Sequence, residues 1–297
     1  MADAGTPRVT IIVVIAPDAD PARLGAVLES ARGQVEGAQL LVVGELERVR
    51  DALVPFEGEL TTLDLAGSAP AEVRNEAVAR AEAPFVLLLE PGERLSADAL
   101  PRHVSALESE PALVGSYGRV AIHGDDAVRV RPERGKGGPI FGRLLKERHL
   151  IPASAALVWR REALGERPFD PGYRSPTALR LALALELARD GREFVFHPAV
   201  VAERPREHAT GEDLEELVKV FATVLYGPEH LDEKREQRAR KRLGRTLVSM
   251  GKHFYRAGDY RRAGKLFDEA VKAAPGYFQG RRYQFLNFVK NTITRDA

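Results

Sequence analysis

Residues 72–100 read "EVRNEAVARAEAPFVLLLEPGERLSADAL". Val73, Ala77, Val78 and Ala81 share one helical face, which predicts a helix over Ala71–Ala81. Phe85–Leu89 follows as five apolar residues without alternation, the pattern of a strand buried on both faces. The chain then breaks at Pro91–Gly92, with Glu90 before it and Glu93 after it. Two acids at the mouth of a buried strand have two readings. They hold a metal and a phosphate, or they decorate a solvated turn.

The flanking segments repeat the strand–loop–helix rhythm. Val9–Ile15 is β-branched and continuous, Pro17–Asp20 is a polar break, and Arg23–Ala31 has helical spacing. Gln39–Val43 and Leu60–Leu65 read as further strands. Strands alternating with helices over about the first hundred residues predict an α/β fold with an open, mainly parallel sheet. Such sheets bind ligands outside the carboxyl ends of their strands. Ala16–Asp20, Gly44–Glu45 and Glu90–Glu93 are therefore the informative loops.

Downstream, Leu113–Ile122 and Ala127–Val130 predict a hairpin, and Ala153–Trp159 and Phe194–Val201 predict strands. Arg131–Gly138, "RPERGKGG", is a basic, glycine-rich loop that either clamps a diphosphate or lies solvated. Thr177–Ala188, "TALRLALALELA", is apolar nearly all round and predicts a buried helix. From about Asp213 the pattern is helical, and residues 232–245 are charged enough for a solvated helix face or a linker. Leu247, Met250, Gly251, Phe254, Gly258, Tyr260, Ala263, Phe267, Ala270 and Pro275 resemble one tetratricopeptide unit, a helical hairpin over about 244–277. A lone unit cannot bury its own face. The C-terminal helices are therefore expected to pack on the preceding domain, a protein partner or a second copy of the chain. The aromatic tail "FLNFVKNTITRDA" is expected to dock.

Composition excludes several classes. The 297 residues carry 44 Lys+Arg against 43 Asp+Glu, a net charge of +1 that gives no footprint for bulk nucleic-acid binding. Cysteine is absent, which rules out disulfides and thiolate metal sites. The apolar run Val9–Ala16 is too short for a membrane span and lacks the basic start of a signal peptide. The expectation is a cytoplasmic protein with no transmembrane segment. No Walker or Rossmann glycine fingerprint is present.

Residues 8–211 resemble the family 2 glycosyltransferases of the GT-A fold. The resemblance rests on "VTIIVVIAPDADPARLGAVLESARGQ" with Ser30 and Gln34, on "QLLVVG", on "VRNEAVARAEAPFVLLLEPGERLSADAL", and on "FDPGYRS" through "RPREH", in that order. It implies a GT-A domain over 1–211, followed by a helical extension over 212–297. It also implies transfer of a sugar, with inversion, from a nucleotide-diphosphate sugar to an acceptor hydroxyl. The nucleotide sugar would meet Pro17, Asp18, Glu45, Arg74, Asn75 and Glu90. Mg²⁺ or Mn²⁺, which favour hard oxygen ligands, would be held by Glu93 with His208.

The motif departs from the family in two places. Glu90-Pro91-Gly92-Glu93 stands where the family has Asp-x-Asp-Asp, so Gly92 replaces the acid most associated with metal. The acceptor-side Glu-Asp pair that supplies the base should fall near Leu179–Arg180, where no carboxylate stands. Asp170 is the substitute candidate, although "PFDPGY" also suits a turn. The alternative is a catalytically inactive relative that binds or scaffolds through its helical C-terminus.

Overall fold

The computed structural model describes residues 7–17 and 19–293. Two compact units emerge. One comprises residues up to Leu144 together with His149–Glu207, and the other Leu145–Arg148 with the residues from His208 onward.

In the first unit, β1 (Val9–Ile15) leads through α1 (Pro21–Ala31) to β2 (Gln39–Gly44). A short α2 (Arg50–Leu53) precedes β3 (Thr61–Asp64), and α3 (Pro70–Ala79) precedes β4 (Phe85–Leu89). Two residues, Arg94–Leu95, form β5, and α4 spans Ala99–Ser109. Next come β6 (Leu113–His123), β7 (Val128–Arg131), β8 (Gly138–Pro139) and α5 (Phe141–Lys146). A 3₁₀ turn at Ser154–Ala156 feeds β9 (Leu157–Arg160), then α6 (Arg161–Leu164), α7 (Pro176–Arg189) and β10 (Glu193–Pro205).

The main path of the sheet runs β3-β2-β1-β4-β9-β6-β10-β5, with β7 on β6 and β8 on β10. The pairs β1–β2, β1–β4, β2–β3 and β6–β10 are parallel, and they carry most of the registered residues. Every residue of β1 and β4 is buried, as the unbroken apolar runs require of strands covered on both faces. Register brings Ile15 beside Gly44 and Val13 beside Leu89, so the carboxyl ends of β1, β2 and β4 form one edge. Gly44 permits this closeness: its φ is +129°, and a Cβ there would stand 2.2 Å from the Ile15 carbonyl oxygen.

One element departs from the sequence expectation. Ala153–Trp159 is not a single strand; its first half winds into the 3₁₀ turn. Because β9 runs antiparallel to β4, that turn arrives at the carboxyl end of β4. The expected 113–130 hairpin forms as β6 and β7.

The second unit contains α8 (Gly211–Tyr226), α9 (Glu233–Arg256), α10 (Tyr260–Ala273) and α11 (Phe278–Ile293). Thr210 and Asp213 make a reciprocal capping box that starts α8. The charged stretch 232–245 belongs to the continuous helix α9 and buries Ala239, Arg242 and Leu243. The Arg242 guanidinium lies 5.0 Å above the Phe221 ring, and burial lowers its pKa to about 10. At Gly251, a Cβ would come within 2.4 Å of the Phe267 ring, so the glycine lets α9 and α10 approach. Within the tail expected to dock, Asn287 of α11 is 5% exposed and donates to the Tyr260 carbonyl of α10 at 3.0 Å, while Phe285 and Phe288 are 66% and 69% exposed. Residues 294–297 of that tail lie outside the described residues.

Candidate active-site crevice

The four residues between β4 and β5 fold as a tight turn. Glu93 N–H donates to the Glu90 carbonyl at 3.0 Å, and Gly92 has φ +80°. Proline at the second position and a left-handed glycine at the third are the requirements of a type II turn. This explains Gly92 where the related motif has an acid. A side chain at that φ is strained, and the turn geometry needs the glycine.

The turn directs both acids inward, so the solvated-turn reading does not hold. Glu90 is 7% exposed and Glu93 3%. Arg74 of α3 grips Glu90 through Nη2 at 2.7 and 2.6 Å and through Nε at 3.1 Å, while its Nη1 donates to the Pro70 carbonyl at 2.8 Å. Next along α3, Asn75 donates to the Phe169 carbonyl at 2.9 Å and accepts from the Phe169 N–H at 2.8 Å. The Arg-Asn pair of the sequence motif is thus a double clamp. One residue neutralises the β4 terminus, and the other fixes the segment that enters α7.

Glu93 is enclosed differently. Oε1 accepts from Ser154 N–H at 3.0 Å, and Oε2 from Ala155 N–H at 2.8 Å and Glu90 N–H at 3.2 Å. Arg204 of β10 approaches Oε1 at 4.0 Å and also pairs with the exposed Glu207. Burial pushes the Glu93 carboxyl upward, while Arg180, Arg204 and the Ala155 N–H pull it down. The carboxylate therefore pins the 3₁₀ turn of Ser154–Ala156 to the end of β4.

Ser30 and Gln34 of α1 hold the far side of the loop. The Ser30 hydroxyl accepts from Leu95 N–H at 3.1 Å, and Gln34 donates to the Ser96 carbonyl at 3.0 Å.

These oxygens do not fit a divalent cation. Mg²⁺ and Mn²⁺ sites need several free oxygens converging on one point. Those of Glu90 face a guanidinium and those of Glu93 face backbone N–H groups. Among the described residues, no group of three or more His, Asp or Glu could hold a metal ion. His208 is an exposed residue before α8, in the second unit.

The remaining candidates scatter. Pro17 is exposed, and its carbonyl accepts from Arg48 at 2.6 Å. Asp18 lies outside the described residues. Glu45 is half-buried just past β2, at the same strand edge. Asp170 is exposed, and its Oδ1 accepts from Gly172 N–H at 2.7 Å; this is the turn role that "PFDPGY" suggests. The basic loop 131–138 is tied down: the Lys136 carbonyl accepts from Tyr117 at 2.8 Å and from Arg143 at 3.1 Å.

Sequence reasoning passed over Arg180 and Ser154. Arg180 of α7 is 8% exposed and donates to Ser154 Oγ at 3.1 Å. Its signal was present in "TALRLALALELA", a single cation within an otherwise apolar turn of helix. Arg74, Glu90, Ser154, Trp159, Phe169, Pro176 and Arg180 line a small cavity beneath the crevice, with room for about one water molecule at most.

Solved structures share this fold. The crystal structure of S. aureus TarS 1–349 matches 98% of this chain and 92% of its own, with TM-score 0.61 and 13% identity. The same protein in complex with UDP-GlcNAc matches 95% of this chain and 89% of its own, with TM-score 0.59 and 12% identity. Mannosyltransferase PcManGT from Pyrobaculum calidifontis, in complex with GDP-Man and Mn²⁺, matches 95% of this chain and 84% of its own, with TM-score 0.57 and 17% identity. No protein-family model and no curated protein sequence matches this chain. The fold is that of glycosyltransferases: a mixed α/β, mostly parallel sheet followed by C-terminal helices.

Proposed function

We propose that the chain binds a nucleotide-diphosphate sugar at the carboxyl edge of β1, β2 and β4 and transfers the sugar, with inversion, to an acceptor hydroxyl. The observation that carries this reading is the convergence of the three β-strand exits on one edge, in a fold shared along nearly the whole chain with proteins solved with UDP-GlcNAc and with GDP-Man. Pro17, Asp18 and Glu45 are assigned to the nucleoside; Pro17 follows β1 and Glu45 follows β2 at that edge. Glu90, Arg74 and Asn75 form the wall beneath the diphosphate. The charge that a cation would offset falls instead to arginines, because Glu93 is committed to the backbone.

The alternative is a relative that binds the nucleotide sugar without transfer, or that scaffolds through its helices. Arg180 favours it, since a cation stands where the acceptor's base is expected. The α9–α10 hairpin, with its tetratricopeptide-like spacing, supports the scaffolding part.

Thermal melting of the full chain with UDP, GDP and dTDP, each with and without Mn²⁺, tests the proposal. A ligand at a hundred times its Kd adds about 2.7 kcal/mol of stability. One nucleotide should raise Tm without needing Mn²⁺, and no response to any of them overturns nucleotide binding. Assay of the responding nucleotide's sugars then separates transfer from binding alone.

A further inference from the structure

The outer face of α11 is more apolar than the face by which it packs. On the packed side, Tyr283 stacks on Phe267 of α10 with ring centroids 5.6 Å apart, Gln284 donates to Asp268 at 2.7 Å, and Asn287 donates to the Tyr260 carbonyl at 3.0 Å. Seven residues make almost two whole turns, so Phe278 and Phe285 share one line along the helix, on the side away from these contacts. Phe278 is 71% exposed, and Phe285 and Leu286 are exposed with it. A surface helix of a globular protein has the reverse arrangement. Grouped exposed aromatic residues mark a surface that another body covers.

Charge indicates which body. Arg281 and Arg282 are exposed and flank the Phe278–Phe285 line, and α11 has no acidic residue. Residues 208–297 hold 18 Lys and Arg against 12 Asp and Glu, whereas residues 1–207 hold 26 against 31. The positive charge is therefore concentrated in the part of the chain that bears the aromatic face.

We infer that α11 lies on an anionic phospholipid surface. Phe278 and Phe285 enter the boundary between headgroups and acyl chains, and Arg281 and Arg282 meet lipid phosphates. With 16 residues and two arginines near its middle, α11 lies along a bilayer rather than across it. A second copy fits the face less well. Two copies joined through it would bring four arginines together with no carboxylate on either α11 to offset them. A bilayer supplies the anions and requires no matching shape. The inference concerns the helical unit and stands whether or not the first unit transfers a sugar.

Flotation of the full chain with vesicles tests the inference, one set of phosphatidylcholine alone and the other of phosphatidylcholine mixed with phosphatidylglycerol. At low salt, binding to the mixed vesicles should exceed binding to the neutral ones by about tenfold or more, and it should fall as salt rises. A double variant, Phe278→Ser with Phe285→Ser, should bind the mixed vesicles about tenfold less. Arg281→Gln with Arg282→Gln should remove most of the preference for the mixed vesicles. Phe285→Trp keeps an aromatic ring and should bind as the wild type does. All these side chains are exposed, so the variants should keep the wild-type Tm. Wild type that floats with neither vesicle set, or equally with both, overturns the inference. So do double variants that bind as the wild type does. A lipid-free dimer in sedimentation velocity that the serine variant dissociates, in a chain that does not float, assigns the face to a second copy instead. Vesicle binding and nucleotide-dependent melting are read separately, so this inference and the proposed function can each fail alone.

Discussion

Arg74 Nη2 reaches both carboxylate oxygens of Glu90, at 2.6 and 2.7 Å, with both side chains almost wholly removed from solvent. Breaking one half of such a pair leaves a buried charge, which costs about 3–5 kcal/mol. Arg74→Met and Glu90→Met should each lower stability by that amount in urea unfolding. The double variant should recover a large part of the loss. A double variant as unstable as the sum of the singles would show that the pair is not coupled.

Glu93 should behave as a structural carboxylate. Glu93→Gln places an amide NH₂ against backbone donors and should cost about 2 kcal/mol. Mn²⁺ or Mg²⁺ added without nucleotide should leave the wild-type Tm unchanged, since both oxygens already accept hydrogen bonds. A metal-induced rise that Glu93→Gln removes would restore the metal role expected from the sequence.

The turn glycine and the strand-end glycine should differ in sensitivity. Gly92 has φ +80°, and a Cβ there would meet only Pro205 side-chain atoms at 3.5 Å or more. Gly92→Ala should therefore cost about 1 kcal/mol, the strain of a left-handed alanine. Gly44→Ala meets backbone at 2.2 Å and should cost several times more. Equal effects in chemical denaturation would contradict the strand-edge geometry.

A buried imidazole makes stability depend on pH. His103 is fully buried, its Nδ1 is 2.7 Å from Ser116 Oγ, and its Nε2 has no hydrogen-bond partner among the described residues. Burial, then the neighbouring His197, lowers its pKa to about 3. Burial and Arg102 also lower His197, which contacts the same Ser116 hydroxyl. Between pH 6.5 and 3 the unfolded chain takes up a proton on His103 that the native state refuses, so stability falls as pH falls. From pH 7 to pH 5 this group removes about 2 kcal/mol. Burial raises Glu93, so its contribution has the opposite sign and is lost as pH rises through the carboxylate range. Comparing wild type with His103→Gln cancels that term. The variant should lose about 2 kcal/mol less over the same interval, and equal losses would refute the assignment.

Local pattern was sufficient for the strands that carry the fold. β1 and β4 are continuous apolar runs because both faces are covered, and burial on both faces leaves a signature within five to seven residues. The Asx turn at Asp170 and the left-handed glycine at Gly92 were likewise readable, because each depends on its immediate neighbours. The partners of the acids were not. Arg74 and Glu90 are 16 positions apart, Glu93 and Ser154 are 61, and Arg180 reaches Ser154 across 26. A carboxylate free to bind a cation and one spent on backbone N–H groups have the same letter in the chain. What separates them is the antiparallel arrival of β9, which carries Ser154 and Ala155 to the end of β4.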